Sequence, residues 1–183
     1  MKRKKKNKYG FVTLCLDPSF TAFGWAVLRG NEVIDSGCII TKPMDKKLRI
    51  RVGDDRVRRV KEINNILKSI IQKHYVCFIL SELPHGSQSA PAASALGMVT
   101  AQVQTISDML DIGIEWYSEN DSKKAVLGKS SATKSEMVDK IDKLYEVDWQ
   151  GVKYIDEAVA DAIAVHYTAK QNSSIIKHMI ENE

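Results

Sequence analysis

Three runs of apolar, β-branched and aromatic residues crowd into the first forty positions, and the turns between them are too short for anything but neighbouring strands. Residues 9–16 read as a buried strand closed by Asp17-Pro18, and residues 23–29 and 33–40 as two more. Gly30-Asn31 between the second and third is a tight-turn signal. The chain therefore opens as an antiparallel meander.

After Pro43 comes a basic segment that reads as mobile, then a helix over residues 54–73, with Val57, Val60, Ile63, Leu67, Ile70 and Ile71 at helical spacing. Its first positions are acidic and Lys73 closes it, as the helix dipole favours. Residues 75–81 form a short continuous apolar run ending at Glu82, the pattern of a central strand buried on both faces. Residues 83–107 contain no Asp, Glu, Lys or Arg. The helix expected over residues 92–110 is small or apolar nearly all round, so it must be covered on more than one side. A fifth strand (112–117), a short helix (118–127), a helix opening at Thr133 with Glu136 at capping-box spacing, and a last helix (156–170) complete the order.

A meander followed by strand–helix–strand crossovers gives a mixed five-stranded sheet with helices on both faces. This α/β order is that of the ribonuclease H-like fold. It fits one domain over residues 9–172, between a basic flexible arm (1–8) and a C-terminal tail (173–183).

Charge is unevenly placed. Six of the cationic side chains lie within residues 1–8, so the net charge of +4 leaves the rest of the chain slightly acidic. The arm reads equally well as a phosphate-holding extension and as a frayed, solvated tail. Cys15, Cys38 and Cys77 each sit in strand-like runs without a C-x-x-C pair, which excludes a zinc knuckle or thioredoxin-type site and implies reduced thiols. No apolar run reaches the ~20 residues of a membrane span, and the start has neither a secretory nor a transit pattern, so a cytoplasmic protein is expected.

Carboxylates carry the chemistry. Asp17 ends the first strand and Glu82 the fourth; if those strands are parallel neighbours, both acids emerge where α/β sheets place their sites. Glu157 and Asp161 share a face of the last helix, and Asp161 is the only acid between Ala158 and Ala169. Acids converging on one point need a cation among them. Oxygen-only donors suit Mg²⁺, and two such ions would support phosphodiester hydrolysis with no Ser, Cys or His nucleophile. Gly128-Lys129-Ser130 mimics the tail of a phosphate-binding loop, but Lys123 stands where that motif needs glycine.

These residues resemble the RuvC family of Holliday junction resolvases. Leu16-Asp17-Pro18-Ser19 with Thr21 and Gly24 is similar to its first-strand motif, Ser81-Glu82 to its second acidic motif, Tyr117 through Ser135 to its basic segment, and Asp161-Ala162-Ile163-Ala164 to the end of its last acidic motif. The resemblance implies a homodimer that binds a four-way junction and makes paired nicks with two Mg²⁺ ions per site, Mn²⁺ substituting. It implies Asp17, Glu82 and Asp161 as metal ligands and Lys123 and Lys134 near the scissile phosphate. Two departures stand out. The family's acid three residues before the last Asp is Ala158 here, with Glu157 as stand-in, and its aromatic after the strand-end Glu is replaced by Pro84 and His85, of which His85 can still stack on a base. The divergence and the basic arm suggest a phage or other viral member, acting in the host cytoplasm. The competing readings are a nuclease of the same fold for flaps, forks or RNA–DNA hybrids, and a junction-binding protein with a decayed site.

Overall fold

The computed structural model describes residues 10–86 and 89–181. The basic arm lies outside the described residues. Strands β1 (Val12–Asp17), β2 (Ala22–Arg29) and β3 (Glu32–Ile40) form the meander, followed by α1 (Val52–His74), β4 (Phe78–Leu83), α2 (Ala90–Leu110), β5 (Gly113–Ser118), α3 (Glu119–Leu127), α4 (Lys134–Leu144), α5 (Lys153–Asn172) and α6 (Ser174–Glu181). The sheet order is β3-β2-β1-β4-β5. β1 pairs antiparallel with β2 and parallel with β4, and β4 pairs parallel with β5. The mixed five-stranded sheet expected from the sequence is the one observed.

Side chains alternate across this sheet and build two cores. Leu14, Leu16, Phe23 and Val27 face α1 and α2 through Ile63, Leu67, Val99 and Val103. Cys15, Ala26 and Leu28 face the other way, onto Met137 and Ile141 of α4, Val159 and Ile163 of α5, and Ile176 of α6. Burial on both faces explains why β1 and β4 read as continuous apolar runs.

Several boundaries differ from the sequence reading for local reasons. β4 begins at Phe78, because Tyr75 takes a left-handed conformation and donates its N–H to Ile71, capping α1. α2 begins at Ala90, since the Ser89 hydroxyl accepts from the Ala92 N–H and Pro91 fits the first turn. α5 begins at Lys153, three residues before Asp156. The expected C-terminal tail is instead helix α6, anchored by the fully buried Ile176.

The close approach of α5 to β2 positions the site. A Cβ on Gly24 would stand 2.1 Å from the Ala158 carbonyl oxygen, so only glycine lets the helix backbone settle there. Gly24 pairs with Asp17, so this contact places the early turns of α5 over the end of β1.

Candidate active site

Asp17 and Glu82 come from adjacent parallel strands. Leu16 pairs with Ser81, so the two acids lie one step further along the same register, on strands ~4.8 Å apart. Asp161 lies on α5, one helical turn beyond the Ala158–Gly24 contact, near enough for its charge to act on both. Ala158 itself is buried against β2, so an acid there would lie in the packing interface.

The carboxylates feel one another. Burial and the Asp161 charge push Asp17 up to about 7 despite the offsetting ammonium of Lys134. Burial, then Asp17, Asp161 and Glu119, push Glu82 up to about 9. Burial also raises Asp161, against the opposing pull of Lys134. Lys134 Nζ donates to Asp161 Oδ2 at 3.0 Å, and this bond with the surrounding acids holds the ammonium above its usual range although burial opposes it. Lys134 is the first residue of α4, whose capping box forms as expected: Thr133 accepts from the Glu136 N–H, and Glu136 accepts from the Thr133 N–H.

The structure distributes the other candidates differently. Glu157 is half-buried and faces Lys153 at 4.0 Å; its charge acts on Lys134. The acids acting on Glu82 are Asp17, Asp161 and Glu119. Glu119 is absent from the sequence candidates, yet it follows the end of β5 as Asp17 ends β1, so the strand-end argument applies to it equally. Lys123 is tied to Glu119 Oε1 at 2.5 Å along α3. His85 lies exposed on the loop after β4, where its charge acts on Glu119 and Asp121. It borders an open apolar cleft floored by Leu83, Pro84, Gly97, Ala101 and Trp116.

The donor set is all oxygen, which suits a hard divalent cation, and Asp17 and Glu82 are raised first by burial and then by the neighbouring acids. Among the described residues no three Asp, Glu, His or Cys side chains are drawn into a ready metal-holding group. Asp161 is turned to Lys134 instead. The acids thus fit the ion chemically, with side-chain rearrangement required to grip it.

The sequence matches the family model of crossover junction endodeoxyribonuclease RuvC over residues 13–169. The chain belongs to the RuvC family. A curated RuvC of Orientia tsutsugamushi (strain Boryong) is 24% identical over 168 residues, covering 90% of this chain and 98% of its own. One from Parvibaculum lavamentivorans is 28% identical over 152 residues, covering 83% and 82%. Among solved structures, RuvC of Thermus thermophilus in complex with a Holliday junction substrate aligns with a TM-score of 0.68 at 18% identity, covering 86% of this chain and 92% of that one. A yeast mitochondrial Holliday junction resolvase aligns at 0.64 with 14% identity, covering 97% and 85%. These two share the fold. The RuvC family match spans both strand-end acids, Lys123, Lys134 and the α5 acids.

Proposed function

We propose that this RuvC-family chain is a metal-dependent endonuclease that resolves four-way DNA junctions by paired nicking. The observation that supports this most directly is the placing of Asp17 and Glu82 at the ends of adjacent parallel strands, with the Lys134–Asp161 ion pair beside them and the Asp161 charge acting on both. Burial and neighbouring acids push Asp17 up to about 7 and Glu82 up to about 9 and also raise Asp161, and a cation among them would offset that cost. The T. thermophilus relative is described with a Holliday junction substrate, which makes a branched DNA the fitting substrate here.

In this reading Asp17, Glu82 and Asp161, with Glu157 completing the set, would hold two Mg²⁺ ions, for which Mn²⁺ would substitute. Bound there, such ions would supply water activation and charge stabilisation for phosphodiester hydrolysis. Lys134 exchanges Asp161 for an oxygen of the incoming phosphate, from a helix start whose free N–H groups also favour anions. Lys123 stands on α3, its charge shared with Glu119 until DNA arrives. His85 stacks on a base at the strand opening.

Paired nicks need two sites, so the active form is a homodimer. The exposed small-residue side of α2, with Gly97 and Ala101 one turn apart, permits the close approach of a twin helix. Among the described residues no helix is long and apolar enough to cross a membrane. DNA in the cytoplasm, a host's if the source is viral, is the setting that suits the reading.

Incubation with a labelled four-way junction, with and without Mg²⁺, tests it. A panel of flap, fork and RNA–DNA hybrid substrates separates junction resolution from other activities of the same fold. Tight junction binding with no metal-dependent product on any substrate would assign the chain to the decayed, binding-only class.

A further inference from the structure

The segment between β3 and α1 reads as mobile in the sequence, yet its backbone is tied down along its length. Thr41 is fully buried; its hydroxyl donates to the Phe20 carbonyl at 2.6 Å and accepts from Arg59 Nε at 2.8 Å. Arg58 Nη2 donates to the Lys42 carbonyl at 2.6 Å, and the Met44 N–H donates to Asp55 Oδ1 at 3.3 Å. Asp45 caps a single 3-10 turn, Lys46–Leu48, by accepting from the Lys47 N–H, and Arg49 closes the turn at φ 51° with its N–H on the Lys46 carbonyl.

What this scaffold presents is positive charge. Residues 42–51 carry Lys42, Lys46, Lys47, Arg49 and Arg51 against one acid, Asp45, and every one of them is exposed. The nearby acids are already engaged, and of the platform cations only Arg51 takes one of them. Asp45 caps the turn, Asp55 holds Met44 and Arg58, and Asp54 pairs with Arg51 at 2.7 Å. Among the described residues no ion pair engages Lys42, Lys46, Lys47 or Arg49. Leu48 and Val52, 58% and 69% exposed, stand between the cations.

Placement supplies the partner. Ile40 pairs with Ala22, so the segment leaves the sheet at the end where Asp17 stands, with only β2 between β3 and β1. Two strand spacings put its root about 10 Å across the sheet from Asp17. A DNA strand carries a phosphate every ~3.4 Å of helix axis, so a strand seated on the acids reaches this surface within a few nucleotides.

We propose that residues 42–51 are a preset phosphate platform, held by Arg58, Arg59 and Asp55, that grips the DNA backbone on the β3 side of the nuclease site. It rests on the nuclease reading above and adds a second anchoring surface to Lys123 and Lys134. Pre-ordering matters because a fixed cation array loses less entropy on binding than a flexible tail does.

The test uses the full chain. Junction binding is measured without divalent metal over a salt series for wild type, for K46Q/K47Q/R49Q, and for K68Q/K143Q/K177Q, which removes as much charge from exposed positions elsewhere. The expected result is a salt slope lower by about two to three units for the platform variant and near wild type for the control. An unchanged slope in the platform variant, or an equal fall in both, overturns the proposal. Sedimentation with phosphatidylserine vesicles that depends on Lys46, Lys47 and Arg49, with the DNA slope unchanged, assigns the surface to a membrane and also overturns it. Wild type that binds the junction but nicks nothing in Mg²⁺ sinks the nuclease reading while leaving the slope comparison valid.

Discussion

Lys134 Nζ stands 3.0 Å from Asp161 Oδ2, and this ion pair occupies a carboxylate that the proposed metal site needs. The Lys134 side chain is 56% exposed and that of Asp161 17%, so the lysine can swing away into solvent while the acid stays in place. Under the proposed nuclease reading, the pair would serve as a stand-in countercharge that a stronger cation or a phosphate displaces.

Removing the lysine should separate two effects. Lys134→Met takes a cation from the acids, so divalent affinity rises, read as a lower Mg²⁺ concentration at half-maximal thermal stabilisation. Junction nicking falls all the same, because the phosphate loses its anchor. Weaker metal binding in Lys134→Met would show that the lysine organises the acids instead of competing for them.

The strand-end acids give a second expectation. Asp17→Asn and Glu82→Gln abolish nicking and leave junction binding largely intact, by gel shift and nicking on the same preparations. They also change the pH dependence of the metal-free fold. A carboxyl raised on folding contributes stability below its unfolded value near 4 and loses it as pH rises through the folded value, about 7 for Asp17 and about 9 for Glu82. In EDTA the wild type should thus lose Tm between pH 5.5 and pH 8 relative to Glu82→Gln. Parallel melting curves across that range would mean the Glu82 carboxyl is not raised on folding.

Much of this is legible in the sequence, because periodicity and punctuation report what they cause. The β1–β3 meander follows from three apolar, β-branched runs and the Gly30-Asn31 turn, and the positions of Asp17 and Glu82 from the strand ends they close. Glu119 escapes such a reading because an acid in the first turn of a helix has an ordinary explanation in the dipole, and its neighbour Asp121 does form a capping box with Ser118. Only the lateral order of β4 and β5 reveals that this helix start borders the acids. The tail hides a helix whose apolar signal is two isoleucines one turn apart, Ile176 and Ile180, both packed onto the α5 side of the core. Arg59 is inconspicuous within a run of charge, although it is buried, lies 4.1 Å over the Phe20 ring and holds the turn that follows Asp17.

The proposed dimer depends on α2. Gly97 has open space where a Cβ would project, and Ala101 is exposed one turn on. Ala101→Arg should give monomers that bind junctions poorly, with the fold unperturbed because the site faces solvent. Light scattering that finds wild type monomeric at micromolar concentration removes the dimer from the reading.

A buried histidine supplies an acid-side limit. His166 is fully buried on α5, with its Nδ1 3.1 Å from the Tyr145 hydroxyl. Burial and then Lys170 push it down to about 3, against a backbone hydrogen bond with Gly30. A histidine lowered on folding contributes stability above its unfolded value near 6.5 and loses it as pH falls from there toward 3. His166→Phe should cost about 1–3 kcal/mol at pH 7.5, since the Tyr145 hydroxyl loses its partner. It should also flatten the fall in stability between pH 6.5 and 4.5, measured by urea unfolding. An equally steep fall in the variant would place the acid sensitivity elsewhere.

The register of α5 decides which acid works with Asp161. A step of four residues turns a helix by about 40° and a step of five by about 140°, so Glu157 points with Asp161 and Asp156 points away. Asp156 has a structural role, since its Oδ1 accepts the Gln150 N–H at 3.0 Å and ties the preceding loop to the first turn of the helix. Glu157 instead faces Lys153 and lies in the field of Lys134. Asp161→Asn and Glu157→Gln should each lower the nicking rate at saturating Mg²⁺ by at least about a hundredfold, the scale of losing a key electrostatic group. Asp156→Asn should leave activity near wild type and cost about 1 kcal/mol of stability at most, as for a capping contact. Glu119→Gln separates the two candidates for the remaining position. Its carboxylate is engaged by Lys123, and removing a partly exposed pair of that kind changes rates by less than about tenfold. If Glu119→Gln is dead and Glu157→Gln active, the remaining ligand comes from the end of β5, and the family's α5 acid has been replaced from another strand.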